Sequence, residues 1–168
     1  MNMKKRFVLA CLMIFSMGAA QAQEFVFDIK QLYVGGGFGF NSPDFGDSAI
    51  GLHGFAGYEL TDLVVLGDDK VGLYAEAGLA HSGKFESCFA NLCGGPSLFG
   101  LWGNGVIDYQ IVDRISVLGR LGLEIGDDTT FIIGGGGEYQ INEKISARAE
   151  FIIRDFYTSL QLNGIYHF

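Results

Sequence analysis

The chain ends in Ser159-Leu160-Gln161-Leu162-Asn163-Gly164-Ile165-Tyr166-His167-Phe168, a stretch in which two kinds of side chain alternate. The apolar set is Leu160, Leu162, Gly164, Tyr166 and Phe168, and the mainly polar set is Ser159, Gln161, Asn163, Ile165 and His167. Successive side chains of a β-strand point to opposite faces of its sheet. The stretch therefore predicts a strand with one apolar face and one mainly polar face.

The same two-residue period recurs along the rest of the chain. It is clear in three further segments, 71–80, 115–125 and 145–154. Four others follow it less regularly, namely 31–40, 49–60, 97–110 and 130–140. The segment 97–110 fits least well because Trp102 falls on the face expected to be polar, and we expect a bulge or an earlier strand start there. Together the segments predict eight strands of about ten residues, the length with which a tilted strand crosses a bilayer.

The composition is apolar and rich in glycine, although no apolar run after the N-terminus approaches the ~18 residues of a membrane-spanning helix. Of the 168 residues, 26 are glycine and 49% are hydrophobic, and the mean hydropathy is +0.28. In lipid every backbone polar group must be paired, so a sheet can span a membrane only by closing on itself. We therefore predict an all-β fold, an eight-stranded antiparallel transmembrane β-barrel of up-and-down topology with its apolar face outward.

The N-terminal segment has the three parts of a secretory signal peptide. Lys4, Lys5 and Arg6 form a positive region, residues 7–17 are apolar, and Ala20-Gln21-Ala22 is a small-x-small cleavage site. We predict that residues 1–22 are removed, which leaves residues 23–168 as one barrel domain. Cleavage lowers the number of basic residues from 11 to 8 against 19 acidic ones, a net charge of −11. Such a surface repels nucleic acid, so we predict no nucleic-acid partner.

A short repeat predicts the orientation of the barrel. Tyr58, Tyr109 and Tyr139 each begin a Tyr-(Glu/Gln)-(Leu/Ile)-x-(Asp/Glu) motif at the end of an even-numbered strand, and Tyr166 takes the matching place in the last strand. Tyrosines at one end of the apolar face are typical of the aromatic belt at a membrane interface. We place the repeat-bearing turns in the periplasm. The other connections, which should face outside, are those near 41–48, 82–96, 126–129 and 155–158.

Cys88 and Cys93 lie in the longest of the outer connections, in the sequence Cys-Phe-Ala-Asn-Leu-Cys. In an exported protein such a pair indicates a small loop closed by a disulfide. A zinc site would need two further ligands, and the nearest candidate, His81, supplies one at best. We therefore predict a disulfide, with no metal site and no cofactor.

Several stretches of the second half of the chain are typical of one protein family. They are Leu121-Gly122-Leu123-Glu124, the run from Ile132 through the glycines 134–137 to Glu143, Ile145-Ser146-Ala147-Arg148-Ala149-Glu150-Phe151, and the terminal Tyr166-His167-Phe168. In these stretches the chain resembles the small OmpA/OmpX-like outer-membrane β-barrel family of Gram-negative bacteria. The resemblance implies that Phe168 is a signal for the outer-membrane insertion machinery. Longer members add a peptidoglycan-binding domain, which we do not expect in this chain.

Polar residues of the predicted strands should fill the inside of the barrel, because eight strands enclose an interior just wide enough for side chains. The charged members of this interior set are Glu59, Glu76, Arg120, Glu124, Glu138, Arg148, Glu150 and Arg154. Gln161 and Asn163 join them. Buried charges need partners, so we predict a hydrogen-bonded network that plugs the barrel. The alternative is a proton or ion path through the same network.

The function predicted from these features is that of a non-enzymatic protein of the outer membrane. We expect a monomer with a structural or surface-interaction role, in contact with outer-membrane lipid and lipopolysaccharide, whose surface ligand is unidentified. A narrow channel for ions or small solutes is one alternative, and a lipid A-modifying enzyme is another. His81 and Ser82 lie at an outer strand end, but neighbours in a strand point to opposite faces, so we expect no catalytic pair.

Overall fold

The computed structural model describes residues 27–44, 47–61, 70–85, 87–89, 92–95, 97–126 and 129–168. Within these residues a short 3-10 helix, Ile29–Gln31, precedes ten strands. The strands are β1 (Leu32–Pro43), β2 (Ala49–Glu59), β3 (Val71–Lys84), β4 (Ser87–Phe89), β5 (Leu92–Gly94), β6 (Ser97–Val112), β7 (Ile115–Ile125), β8 (Thr129–Gln140), β9 (Ile145–Ile153) and β10 (Tyr157–His167). Among the described residues no helix is both long and apolar enough to cross a membrane. The predicted signal peptide, residues 1–22, lies outside the described part of the chain.

Eight of these strands close into a barrel in the order β1-β10-β9-β8-β7-β6-β3-β2. Neighbouring strands are antiparallel, and the first and last strands close the seam, with Tyr33 opposite His167 and Pro43 opposite Tyr157. Closure leaves neither edge strand unpaired, as a sheet in lipid requires. The predicted eight-stranded antiparallel barrel of up-and-down topology is therefore confirmed.

The two short strands β4 and β5 form a separate two-stranded sheet in the connection between β3 and β6. The sequence period did not predict this hairpin, because strands of three residues are too short to show alternation. Its register places Cys88 directly opposite Cys93. Opposed residues of antiparallel strands have Cα atoms about 4.5–5.5 Å apart, within the range of a disulfide. The backbone is thus compatible with the predicted disulfide, which stays a prediction.

The two faces of the barrel wall have the opposite polarity to those of a water-soluble barrel. In β9, burial alternates without interruption: Ser146, Arg148 and Glu150 are buried, whereas Ala147 and Phe151 are exposed. Large apolar side chains cover the outer face, for example Leu121 and Phe131, which are 63% and 61% exposed. Charged groups line the inside and apolar groups face out, an arrangement that suits a barrel surrounded by lipid.

Trp102 corrects one sequence-based expectation about β6. The register between β3 and β6 runs without interruption from Val71 opposite Tyr109 to His81 opposite Phe99, so there is no bulge at Trp102. The indole lies inside the barrel and is only 4% exposed. The expectation of a bulge or early start was wrong because it assumed that the inner face must be polar throughout.

The barrel has two structurally distinct ends. The turn end carries the connections β2–β3, β6–β7 and β8–β9, and the loop end carries the other four, including the β4–β5 hairpin. Tyr109, Tyr139 and Tyr166 are exposed on the outer face at the turn end. Tyr58 lies at the same end but is half-buried, because the ring of Phe27 stacks on it with centroids 5.3 Å apart. The terminal Phe168 packs edge-on against Tyr166, also at 5.3 Å.

Candidate functional site in the barrel interior

A cluster of four buried charges crosses the middle of the barrel, and we call it the central layer: Glu76, Arg120, Arg148 and Glu150. Arg120 Nη2 donates to Glu76 Oε2 at 2.8 Å and to Glu150 Oε2 at 3.0 Å. Arg148 Nη1 donates to Glu76 Oε1 at 2.5 Å. The same Glu76 oxygen accepts from the Tyr33 hydroxyl at 2.7 Å. Two carboxylates thus meet two guanidinium groups, and the layer carries no formal net charge.

The central layer depends on residues that come from strands far apart in the sheet. Glu76 is on β3, Arg120 on β7, and Arg148 and Glu150 on β9. All four side chains are almost fully buried, with at most 5% of any side chain exposed. Removing charges from water costs several kcal/mol per ion, so each must be matched by close partners. Every charge of the layer has such a partner.

Toward the turn end the network continues to a cavity of about 240 Å³, which we call the vestibule. Arg148 Nε donates to Glu138 Oε2 at 2.7 Å, and His167 Nε2 lies 3.9 Å from Glu138 Oε1. Polar residues of several strands and turns line the vestibule; among them are Glu59, Lys70, Tyr74, Asp108, Arg114 and Ser116. The vestibule therefore contains charges of both signs.

Toward the loop end a separate ion pair lies beside an aromatic ring. Arg154 Nε donates to Glu124 Oε2 at 2.9 Å. The ring of Tyr157 lies over Arg154, with its centroid 5.0 Å from the guanidinium carbon. Phe85 packs on Tyr157 at a centroid distance of 5.6 Å. Phe85 and Tyr157 are both buried, so this aromatic pair covers one face of the Arg154 guanidinium.

Aromatic side chains also pack directly against the central layer. The Phe55 ring lies 6.4 Å from the Tyr33 ring and 5.8 Å from the Trp102 ring. The guanidinium of Arg120 lies over Trp102 at 5.6 Å, and that of Arg148 over Phe55 at 5.7 Å. Sequence reasoning missed Tyr33 and Phe55 and treated Trp102 as an irregularity of the strand. The alternation in 31–40 and 49–60 could have assigned Tyr33 and Phe55 to the inner face once the register of those strands was known.

The structure brings seven of the eight predicted interior charges into ion pairs: Glu76, Arg120, Glu124, Glu138, Arg148, Glu150 and Arg154. Glu59 lies apart from them, half-buried in the wall of the vestibule. Asn163 donates to Glu150 Oε2 at 3.2 Å and also contacts His53 Nε2. Gln161 is buried on the same inner face.

The arrangement of His81 and Ser82 does not form a catalytic pair. His81 is exposed, whereas Ser82 is 2% exposed. The Ser82 hydroxyl donates to the Gly83 carbonyl at 2.8 Å and accepts from the Leu98 amide at 2.8 Å. A nucleophilic serine needs a base within hydrogen-bond reach, and His81 Nδ1 instead accepts from the Gly83 amide. Among the described residues no group of three or more His, Cys, Asp and Glu side chains is arranged to hold a metal ion.

Comparison with known proteins gives a family match over nearly the whole chain. Residues 7–167 match the family described as outer membrane protein beta-barrel domain. The comparison with curated proteins gave no match.

Similar solved structures include a designed and two natural barrels. A de novo designed transmembrane β-barrel is 17% identical with a TM-score of 0.58, over 83% of this chain and 96% of the design. The Yersinia pestis outer membrane protein Ail in a phospholipid nanodisc is 13% identical with a TM-score of 0.58, over 82% and 98%. Neisserial surface protein A is 11% identical with a TM-score of 0.52, over 82% and 96%. At these identities the likeness concerns the fold alone.

Proposed function

Because the chain belongs to the outer membrane protein beta-barrel domain family, we propose that the mature protein is a monomeric outer-membrane barrel with a closed interior and no enzymatic activity. Its role is structural or lies in contacts made at the cell surface. The observation that carries the proposal is the central layer, in which Glu76 is bound at once by Arg120, Arg148 and Tyr33.

The outer face supports the membrane part of the proposal. Its exposed apolar side chains belong to all parts of the wall and include Leu52, Leu101, Leu121, Phe131, Phe151 and Leu160. In water such a continuous apolar surface would cause aggregation. In a bilayer the same side chains contact lipid, so the free energy of the barrel is lower there than in water. The exposed tyrosines Tyr109, Tyr139 and Tyr166 mark one membrane interface. Periplasmic turns of such barrels are short, and the β6–β7 and β8–β9 connections of the turn end are short. We therefore place the turn end in the periplasm and the loop end outside.

The charge pattern of the interior supports a plug over a channel. Selective ion pores are commonly lined by rings of charges of one sign. Here the central layer pairs two glutamates with two arginines, and Arg154 is paired with Glu124 nearer the loop end. An ion entering either level would have to separate a buried ion pair, and such pairs resist separation because each charge would be left without a partner in the interior.

A narrow channel is the second candidate, and the vestibule is the observation that favours it. Its volume of about 240 Å³ would give solutes access to the interior from the turn end. The Arg148–Glu138 pair and the central layer lie beyond it. A channel therefore requires these side chains to move apart, and a plug requires them to stay in place.

The surface contacts that we propose are with lipid, with lipopolysaccharide and, during assembly, with the insertion machinery through the exposed Phe168. Ail has been crystallised with the heparin analogue sucrose octasulfate. A polysulfated ligand is poorly matched to this chain, because the mature protein has 8 basic residues against 19 acidic ones and the described loop-end residues include Asp44, Asp47 and Asp155. We therefore propose no role in binding sulfated polysaccharide.

Heat-modifiable migration tests the barrel in the membrane. The mature protein, extracted from outer membranes, should migrate differently on SDS gels before and after boiling. Recovery in the soluble periplasm without such a shift would overturn the membrane assignment. Mass spectrometry of lipid A from overexpressing cells tests the absence of enzymatic activity, since an altered acyl pattern would contradict it.

The conductance of the protein in a planar bilayer then distinguishes a plugged interior from a channel. The wild-type barrel should give no discrete openings, whereas the variant Glu76→Ala/Arg120→Ala/Arg148→Ala should give them, because three large side chains no longer fill the central layer. Both proteins must first show the heat-dependent shift, so that only folded barrels are compared. Steady openings of the wild-type protein would contradict the plugged interior and support the channel.

A further inference from the structure

A small cavity at the loop end is lined by two residues, each of which has a buried polar atom without a hydrogen-bond partner among the described residues. The cavity has a volume of about 40 Å³ and is lined by Glu124, Thr130, Arg154 and Tyr157, among others. Arg154 Nη1 and Thr130 Oγ1 are the unpartnered atoms, in side chains that are only 7% and 8% exposed. A buried donor without a partner has lost its hydrogen bonds to water and gained none in return. A bound group that supplies the missing partner would recover this loss.

The hydrogen-bonding capacity of the cavity matches a hydroxyl group. Arg154 Nη1 can only donate, and the Thr130 hydroxyl can donate or accept. Glu124 can only accept, and a carboxylate has about four lone-pair sites, of which the Arg154 Nε hydrogen bond occupies one. A ligand hydroxyl both donates and accepts. It can therefore accept a hydrogen bond from Arg154 Nη1 and donate one to Glu124 or Thr130.

The charges around the cavity favour a neutral ligand. Arg154 and Glu124 compensate each other at 2.9 Å. An anion would lie near the Glu124 carboxylate, at an end of the barrel that also carries Asp44 and Asp155. A cation would lie against the Arg154 guanidinium. Neither sign of charge gains a net attraction.

The size and the mouth of the cavity narrow the ligand class further. A volume of 40 Å³ holds about three water-sized groups, enough for a hydroxyl or hydroxymethyl group but not for a whole sugar ring. Phe99 and Phe156 also line the cavity. Phe99 lies on the outer face of β6 together with Leu101, whereas Phe156 belongs to the β9–β10 connection and is 50% exposed. The exposed Phe156 ring provides an apolar surface for the C–H face of a sugar ring beside the cavity.

We propose that this cavity is a saccharide subsite, which takes one hydroxyl or hydroxymethyl group of a neutral sugar while the ring packs on Phe156. The same chemistry is offered by the sugar part of a surface glycolipid and by a free glycan. That the subsite faces the outside of the cell rests on the orientation given under the proposed function, but the binding chemistry does not depend on it.

The test is an NMR titration of the folded wild-type barrel in detergent micelles with D-glucose, D-galactose or inorganic phosphate, and in nanodiscs with and without lipopolysaccharide. Amide signals of Gly126, Thr130 and Tyr157 should shift and saturate with a sugar but not with phosphate. A response to lipopolysaccharide and not to free sugar would assign the subsite to a glycolipid. A response to free sugar in lipid-free micelles would show that a glycan suffices.

Substitutions locate the site. Thr130→Val removes the hydroxyl with little change of shape, and Arg154→Lys removes Nη1 but keeps the positive charge beside Glu124. Each should weaken sugar binding about tenfold, the effect of losing a hydrogen bond to a buried group. Thr129→Val, at an exposed neighbouring position, is the matched control and should bind as wild type.

Three results would overturn the proposal: no saturable shift with any sugar or lipopolysaccharide, which would leave water as the occupant; saturation by phosphate; or equal sugar binding by Thr130→Val and wild type. Each variant must retain the heat-dependent gel shift. Because the micelle titration does not require insertion in an outer membrane, a failure here leaves the proposed membrane role untouched.

Discussion

Glu76 and Arg148 are paired across the full width of the barrel. Their strands, β3 and β9, are separated by three strands in either direction around the wall, yet Arg148 Nη1 lies 2.5 Å from Glu76 Oε1. Both side chains must therefore reach the axis of the barrel. The pair occupies the space through which a solute would pass, and it joins opposite walls that share no backbone hydrogen bonds.

Removing the Glu76 carboxylate should destabilise the barrel strongly. Glu76→Ala leaves Arg120 and Arg148 without their shared partner in a water-poor interior. Breaking a buried pair in this way costs about 3–5 kcal/mol. Urea unfolding of the protein refolded into lipid vesicles measures the free energy of unfolding directly.

The control for this substitution is Glu143→Ala, at an exposed position of the β8–β9 turn. It removes the same group without unpairing a buried charge, so the free energy of unfolding should change by no more than about 0.5 kcal/mol. If Glu76→Ala were as stable as this control, the central layer would have no role in holding the barrel.

The fluorescence of Trp102 should report on the interior and not on the lipid. It is the single tryptophan of the chain, and its ring lies inside the barrel against Arg120 and Phe55. Brominated lipids quench a tryptophan only at close contact. The emission of the wild-type barrel should therefore change little when it is reconstituted in such lipids.

A matched variant makes the measurement decisive. Leu101→Trp/Trp102→Phe moves the indole by one residue to the outer face, where Leu101 is 54% exposed. Its emission should be strongly quenched by the same lipids. Equal quenching of the two proteins would contradict the assignment of inner and outer faces in β6.

The Cys88–Cys93 disulfide should form but contribute little to the stability of the barrel. The hairpin of β4 and β5 is a separate sheet, so closing it does not restrain the eight strands of the wall. Intact protein from the periplasm or outer membrane should be lighter than its reduced form by the mass of two hydrogen atoms. Cys88→Ser/Cys93→Ser should change the free energy of unfolding by no more than about 0.5 kcal/mol; free thiols in the exported protein would refute the disulfide.

The strands and the topology were predictable from the sequence because alternation assigns each residue to a face by local information alone. The charges of β9 illustrate this, since Arg148 and Glu150 face inward as the period of two requires. The barrel followed because eight such strands must close in lipid.

The pairing of the interior side chains was not predictable in the same way. Which charges meet depends on the tilt and stagger of the strands, and the period of two does not fix either. Alternation therefore placed Glu59 and Glu76 in one interior set, although Glu59 lies in the vestibule and Glu76 in the central layer. Trp102 was misjudged for a related reason: a narrow interior also accepts aromatic rings that pack against guanidinium groups.

Glycines on the inner face of the barrel wall should not tolerate a larger side chain, whereas those on the outer face should tolerate one. At Gly136, on the inner face of β8, an added Cβ would lie 2.8 Å from Glu150 Cα and press on the Ala149 carbonyl, which are backbone atoms that cannot rotate away. At Gly164, on the outer face of β10, an added Cβ would meet nothing within 4 Å. Gly136→Ala should therefore lower the free energy of unfolding by about 1–3 kcal/mol, as overpacking does, whereas Gly164→Ala should be neutral or slightly stabilising. Urea unfolding in vesicles compares the two, and equal effects would show that the inner glycines do not serve close packing.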